Sequence, residues 1–441
     1  MVSKRIRDHL WIAALAASLL PTEGFAATTL TIATVGNSDM VEMKKLTPEF
    51  EKANPDINVQ WVVLEENVLR QKVTTDIATG SGQYDIVTIG LYETPLWAKR
   101  GWLLPLTDLP SDYDLNDIIP AARDGLTVDG KLYALPFNFG TQMTFYRKDL
   151  FEKAGLTMPD NPTWDQIKGF AKQLTDRSKD QYGMCMRGKP GWGENMATFS
   201  TMVNTFGGRW FDEKWVAQID TPEWKDALTF TKELASESAP PGVTSNGFNE
   251  NLALMLAGKC AIWTDNTVAA GFLMGDKESP YADKFGFAAA PYAKTVKGSQ
   301  MVWAWSLAIP ASTKSEEAAK RFVTWATSKE YIKLVAKDEG WASVPPGTRK
   351  STYLYDEYQK AAPFANMVLK SLESADSKDF SVKPVPYSGV QFVSIPEFQG
   401  LGTEVGKNIA AALSGSLSVD AALKESDALA NRIMVKAGYQ K

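Results

Sequence analysis

The sequence predicts an α/β chain folded as two lobes with a cleft between them. Two observations carry this. Residues 30–63 run strand, loop, helix, strand, which is the order of a parallel βαβ unit. Residues 131–164 hold a strand that breaks at Gly140 and then resumes over 143–146. Proline in a strand belongs at an end or an edge, and Pro136 lies in this one. The chain near 138–140 therefore leaves one sheet and enters another. A hinge of that kind implies two bodies that close on a ligand. With 441 residues, 44% hydrophobic and 22% charged, the chain can bury large cores.

The elements follow in order. Lys4, Arg5 and Arg7 precede an apolar run over 10–20, and Gly24, Phe25 and Ala26 offer a cleavage site. This reads as a secretory signal peptide over residues 1–26. The run is too short to cross a bilayer, which takes about 20 apolar residues. The first strand, 30–35, leads through Asn37 into a helix over 40–53 that Asn54 and Pro55 stop. A strand over 57–63, a helix over 66–79 and a strand over 84–89 follow. Beyond the hinge, a helix over 148–154 is closed by Gly155. A second α/β body is expected over 163–300. Its strand over 181–187 runs into a loop with Trp192 between two glycines. A helix over 221–237 has Thr221 as its cap and Pro222 at its first position. A helix over 249–258 feeds a strand over 259–266. After a strand over 301–310, residues 352–441 read as mostly helical.

These motifs resemble one family, the family 1 extracellular solute-binding proteins of ABC importers. The matching residues are Leu135-Pro136, Tyr146-Arg147-Lys148-Asp149, Leu150-Phe151 with Gly155, and Thr163-Trp164-Asp165. The stretches 97–106, 207–208, 258–262 and 340–349 are also similar. Arg147 stands where the family usually has Asn, and Thr267 to Ala270 lack its Gly-x-Trp. The resemblance implies a two-lobed periplasmic binding protein fold, type II-like, with crossovers near 138–141, 301–305 and 343–347. It divides the chain into lobe 1 (27–138 plus 304–343) and lobe 2 (141–301 plus 346–441). Its finer grain looks like the branch that binds sorbitol, mannitol and related polyols. It also implies docking of a monomer on a membrane permease.

Ligands of open α/β sheets sit at the carboxyl ends of strands. Asn37, Tyr92 and Glu93 occupy such ends, and Glu93 is expected to accept hydrogen bonds from two adjacent hydroxyls. Arg187 and Trp192 are the paired candidates of the second lobe. Trp303 and Trp305 share parity and so face one side, as a stacking platform or as a packed core edge. Gln142 is a candidate just past the hinge. Asp265, Trp341 and Arg349 are carried over from the resemblance. Aromatic faces can cover C–H surfaces while forked polar groups satisfy hydroxyls, as a sugar or polyol needs.

The one histidine, His9, falls inside the signal peptide, so the secreted chain is expected to hold none. That removes His-based nucleophiles, general bases and metal sites. No phosphate loop or nucleophile elbow is present, no metal or other cofactor is expected, and the mildly acidic charge of −5 argues against nucleic acid. Cys185 and Cys260 are expected as two small buried thiols, although an oxidising compartment would let them pair. The substrate expected is a linear polyol (mannitol, sorbitol or arabitol), with a monosaccharide or short oligosaccharide as the alternative. Two other classes stay open: a secreted glycoside hydrolase, which needs two carboxylates about 5–10 Å apart, and a ligand sensor for a two-component receptor.

Overall fold

The computed structural model describes residues 27–275 and 278–440. The expected signal peptide lies outside the described residues. Among the described residues eleven strands follow in chain order: β1 (Thr28–Val35), β2 (Ile57–Leu64), β3 (Ile86–Ile89), the small hairpin β4 (Thr127–Val128) and β5 (Lys131–Leu132), β6 (Ala134–Gly140), β7 (Gln142–Arg147), β8 (Tyr182–Cys185), β9 (Cys260–Asn266), β10 (Phe285–Ala289) and β11 (Trp303–Ala308).

They form two separate main sheets, one for each body of the expected α/β fold. The first has the order β2-β1-β3-β11-β6. β1 runs parallel to β2 and β3, which is the βαβ order read from residues 30–63. β11 enters antiparallel between β3 and β6. The second sheet has the order β10-β7-β9-β8. Pro136 sits in β6, at the edge of its sheet, where a missing N–H costs no ladder bond. The β6–β11 ladder slips between Trp305 and Ser306. There the Trp305 N–H donates to the Asn138 side chain at 3.1 Å instead of to backbone.

The crossings lie side by side. β6 ends at Gly140 in the first sheet and β7 begins at Gln142 in the second. The chain returns to the first sheet at Trp303, paired with Gly140. The third segment touches the first through the Phe139 N–H, which donates to Pro346 O at 3.0 Å. Gly347 has φ +85°, and a Cβ there would lie 1.8 Å from Phe139 O, a backbone atom that cannot swing aside. Gly347→Ala is therefore expected to destabilise the fold by at least about 2 kcal/mol in urea unfolding, through left-handed strain plus the clash. The neighbouring Pro346→Ala should cost less.

Three expectations need correction. Residues just past 346 do not leave for the second body: Ile119 N donates to Thr348 O, Arg349 donates to Thr327 O, and Ser351 donates to Asp117. Side chains reaching back to residues 114–119 and 327 hold this piece against the first. Residues 375–397 are irregular rather than helical, with helix resuming at Phe398–Ser414 and Val419–Lys436. These last helices pack on the helices Asn195–Thr205 and Pro222–Ser238 of the second body. Finally, Cys185 and Cys260 are a disulfide, not two thiols, with Cα atoms 5.6 Å apart. Their strands, β8 and β9, are neighbours in one sheet, a proximity across 75 residues that spacing alone does not reveal.

Among the described residues, no helix is long and apolar enough to cross a membrane.

Candidate functional site

Strand ends and helix starts from both bodies face one cavity. The first body supplies Asn37 at the cap of helix Ser38–Ala53, Asp39 in its first turn, Arg70 on helix Glu66–Thr79, Asn138 on β6, and Trp303 and Trp305 on β11. The second supplies Arg187 and Trp192 from the segment after β8, Asn266 at the end of β9, and Phe248 and Phe272. Gln391 reaches in from the irregular segment, its amide held by both polar backbone atoms of Val302.

Three indoles form an aromatic box. Trp303 lies 5.4 Å from Trp305 and 5.7 Å from Trp192, edge to face in both cases. The Arg70 guanidinium sits over all three, 4.1 Å from the Trp192 ring, 4.9 Å from Trp305 and 5.2 Å from Trp303. Such contacts gain strength when water is excluded. Arg70 is anchored by Glu66 at 2.9 Å and by Glu93. The Trp192 indole N–H is buried and makes no hydrogen bond among the described residues, which leaves a donor free.

In the second body, Arg187 makes a two-pronged pair with Asp265, at 2.8 and 2.6 Å, and donates to Gly193 O at 2.9 Å. Trp263 Nε1 and the Asn266 N–H complete the Asp265 carboxylate. Burial and the nearby Glu66 push the Glu194 carboxyl up to about 8, against the pull of Arg187 and Lys189. Burial also pushes Asp39 up to about 7, opposed by its hydrogen bond from Asn138.

The sequence candidates thus divide in three. Asn37, Arg187, Trp192, Trp303 and Trp305 line the cavity. Tyr92, Glu93, Gln142 and Asp265 stand behind the wall. Glu93 is not open to hydroxyls as expected, because one oxygen meets Arg70 and the other accepts from Gly90 N at 3.0 Å. Tyr92 packs 4.8 Å from Trp192 and donates to Ile395 O. Gln142 accepts from Thr201. Trp341 and Arg349 are away from the cavity. Trp341 packs on Tyr355, and Arg349 is buried against Thr327, Asp114 and Asp117. Sequence reasoning missed Asp39, Arg70, Asn138 and Asn266. Asp39 follows Asn37 by two residues, in the first turn of the helix that Asn37 caps, and that spacing was the available signal.

The model of the bacterial extracellular solute-binding protein family matches residues 37–333. The chain belongs to that family. This solute-binding protein is 54% identical over 422 residues to a mannitol-binding protein of Pseudomonas aeruginosa, covering 96% of this chain and 97% of the relative. It superposes with TM-score 0.93 on an ABC transporter solute-binding protein of Agrobacterium vitis crystallised with D-mannitol, at 60% identity over 94% of this chain and all of that one. It also superposes, at 27% identity and TM-score 0.82, on one from Agrobacterium radiobacter in complex with ribitol, over 93% and 99% of the two chains. The resemblance read from the motifs, and the two-lobed α/β fold it implied, agree with these findings.

Proposed function

We propose that this solute-binding protein is the periplasmic receptor of an ABC importer for a linear polyol, mannitol first among the candidates. The observation that carries the reading is the 60% identity to a chain holding D-mannitol, over nearly the full length. The cavity supports it. Trp192, Trp303 and Trp305 present faces for the carbon chain, and Asn37, Asp39, Arg70, Asn138 and Arg187 offer donors and acceptors for hydroxyls. Glu93, Asp265 and Tyr92 act as supports that orient Arg70, Arg187 and Trp192. The two bodies close on the polyol because its contacts to both exist only when closed. The closed monomer then docks on its permease and releases the ligand unchanged, with no cofactor.

A thermal-shift screen tests this. Mannitol, sorbitol and arabitol should raise the melting temperature, with about 2.7 kcal/mol of stabilisation at a hundred times Kd. A shift with an oligosaccharide and none with any polyol would overturn the substrate. Recovery of unaltered ligand after long incubation separates a receptor from a hydrolase.

A further inference from the structure

The walls of the cavity hold more acid than base. Two guanidinium groups, Arg70 and Arg187, line it. Around them stand Glu66 and Glu93 on Arg70, and Asp265 and Glu194 on Arg187. Lys189 at the rim is shared between Glu65 at 2.8 Å and Glu194 at 3.6 Å. Asp39 is set apart from these groups. It is only 4% exposed, it lines the cavity, and no cation pairs with it among the described residues. Its Oδ2 accepts from Asn138 Nδ2 at 2.6 Å, while Oδ1 accepts no hydrogen bond among the described residues. Behind it lie Tyr331, Glu42 and Glu339, a phenol and two acids. The nearest cation on that side, Lys45, is engaged by Glu42, Asp338 and Glu339.

A buried carboxylate without a cation is unfavourable, and a ligand that brings the cation relieves this. We propose that this cavity also binds protonated amino-alditols, polyols in which a terminal hydroxyl is replaced by an ammonium, with the ammonium on Oδ1 of Asp39. The inference rests on the polyol reading of the same cavity. The ammonium keeps donors where the hydroxyl had one and adds the missing charge. The rest of the chain keeps the contacts of the neutral polyol. A terminal carboxylate at that place meets Asp39 with like charge and is rejected.

The test is calorimetric titration of the purified protein and of Asp39→Asn with mannitol, 1-amino-1-deoxymannitol and mannonate at pH 7.5. The wild type should bind the amine at least as tightly as mannitol and mannonate at least 100-fold more weakly. Asp39→Asn should raise the ratio of amine Kd to mannitol Kd at least tenfold. A wild-type series from pH 6 to 8 does not depend on the variant's folding. Burial holds the Asp39 carboxyl up to about 7, so it ionises across this range while the amine stays protonated. Amine affinity relative to mannitol should therefore rise about tenfold with pH. An amine weaker than mannitol at pH 7.5, or a ratio that Asp39→Asn leaves unchanged, overturns the inference even where pH moves the ratio, because Glu194, held up to about 8, also ionises across this range. Mannitol binding without amine binding sinks this inference alone, whereas no binding of either removes the polyol reading as well.

Discussion

Arg187→Met is expected to destabilise the protein by about 3–5 kcal/mol and to weaken polyol binding at least 100-fold. The Arg187 side chain is 7% exposed and that of Asp265 is wholly buried. Removing the guanidinium leaves the Asp265 carboxylate in low dielectric with only Trp263 Nε1 and the Asn266 N–H for company. It also removes a cavity donor and frees Gly193 O, which sits beside Trp192. Urea unfolding and calorimetric titration read the two effects. Arg187→Met combined with Asp265→Leu should recover part of the stability, because no lone charge is then left buried, but it should not recover binding. Stability within about 1 kcal/mol of wild type together with full affinity would show that the pair neither holds nor grips.

Cys185→Ala with Cys260→Ala should cost about 4 kcal/mol, the loop-closure term for a bridge across some 75 residues. For a lobe of this size that corresponds to a fall of roughly 8–16 °C in melting temperature. Alanine is the right replacement because both sites are fully buried and a serine hydroxyl would lack a partner there. A reducing agent should reproduce the fall in the wild type and leave the double variant unmoved. Thiol titration of the denatured, unreduced protein should find no free cysteine. Free thiols, or a melting temperature indifferent to reduction, would contradict the bridge.

Much of this protein could be read along the chain because the signals are local. The βαβ order, the glycine stop at Gly155 with φ +68°, the edge proline and the break at Gly140 are properties of backbone and nearest neighbours. So is the shared parity of Trp303 and Trp305, which places both indoles on the cavity side of β11. The family motifs carried the two-lobed architecture. The candidate site was legible only in part. Arg70 reads along the chain as an ordinary helical partner of Glu66, four residues away. Only the meeting of the two bodies sets Trp192 over it at 4.1 Å. Glu93 looks like an open acceptor until Arg70, 23 residues earlier, is found against it. Asp39 looks like a helix-start acid until Asn138, 99 residues later, encloses it. Local sequence sets the backbone, because φ and ψ answer to neighbouring residues. The partners of a side chain answer to whatever is packed against it from far along the chain: within the first body for Glu93 and Asp39, and across the two bodies for Arg70 and Trp192.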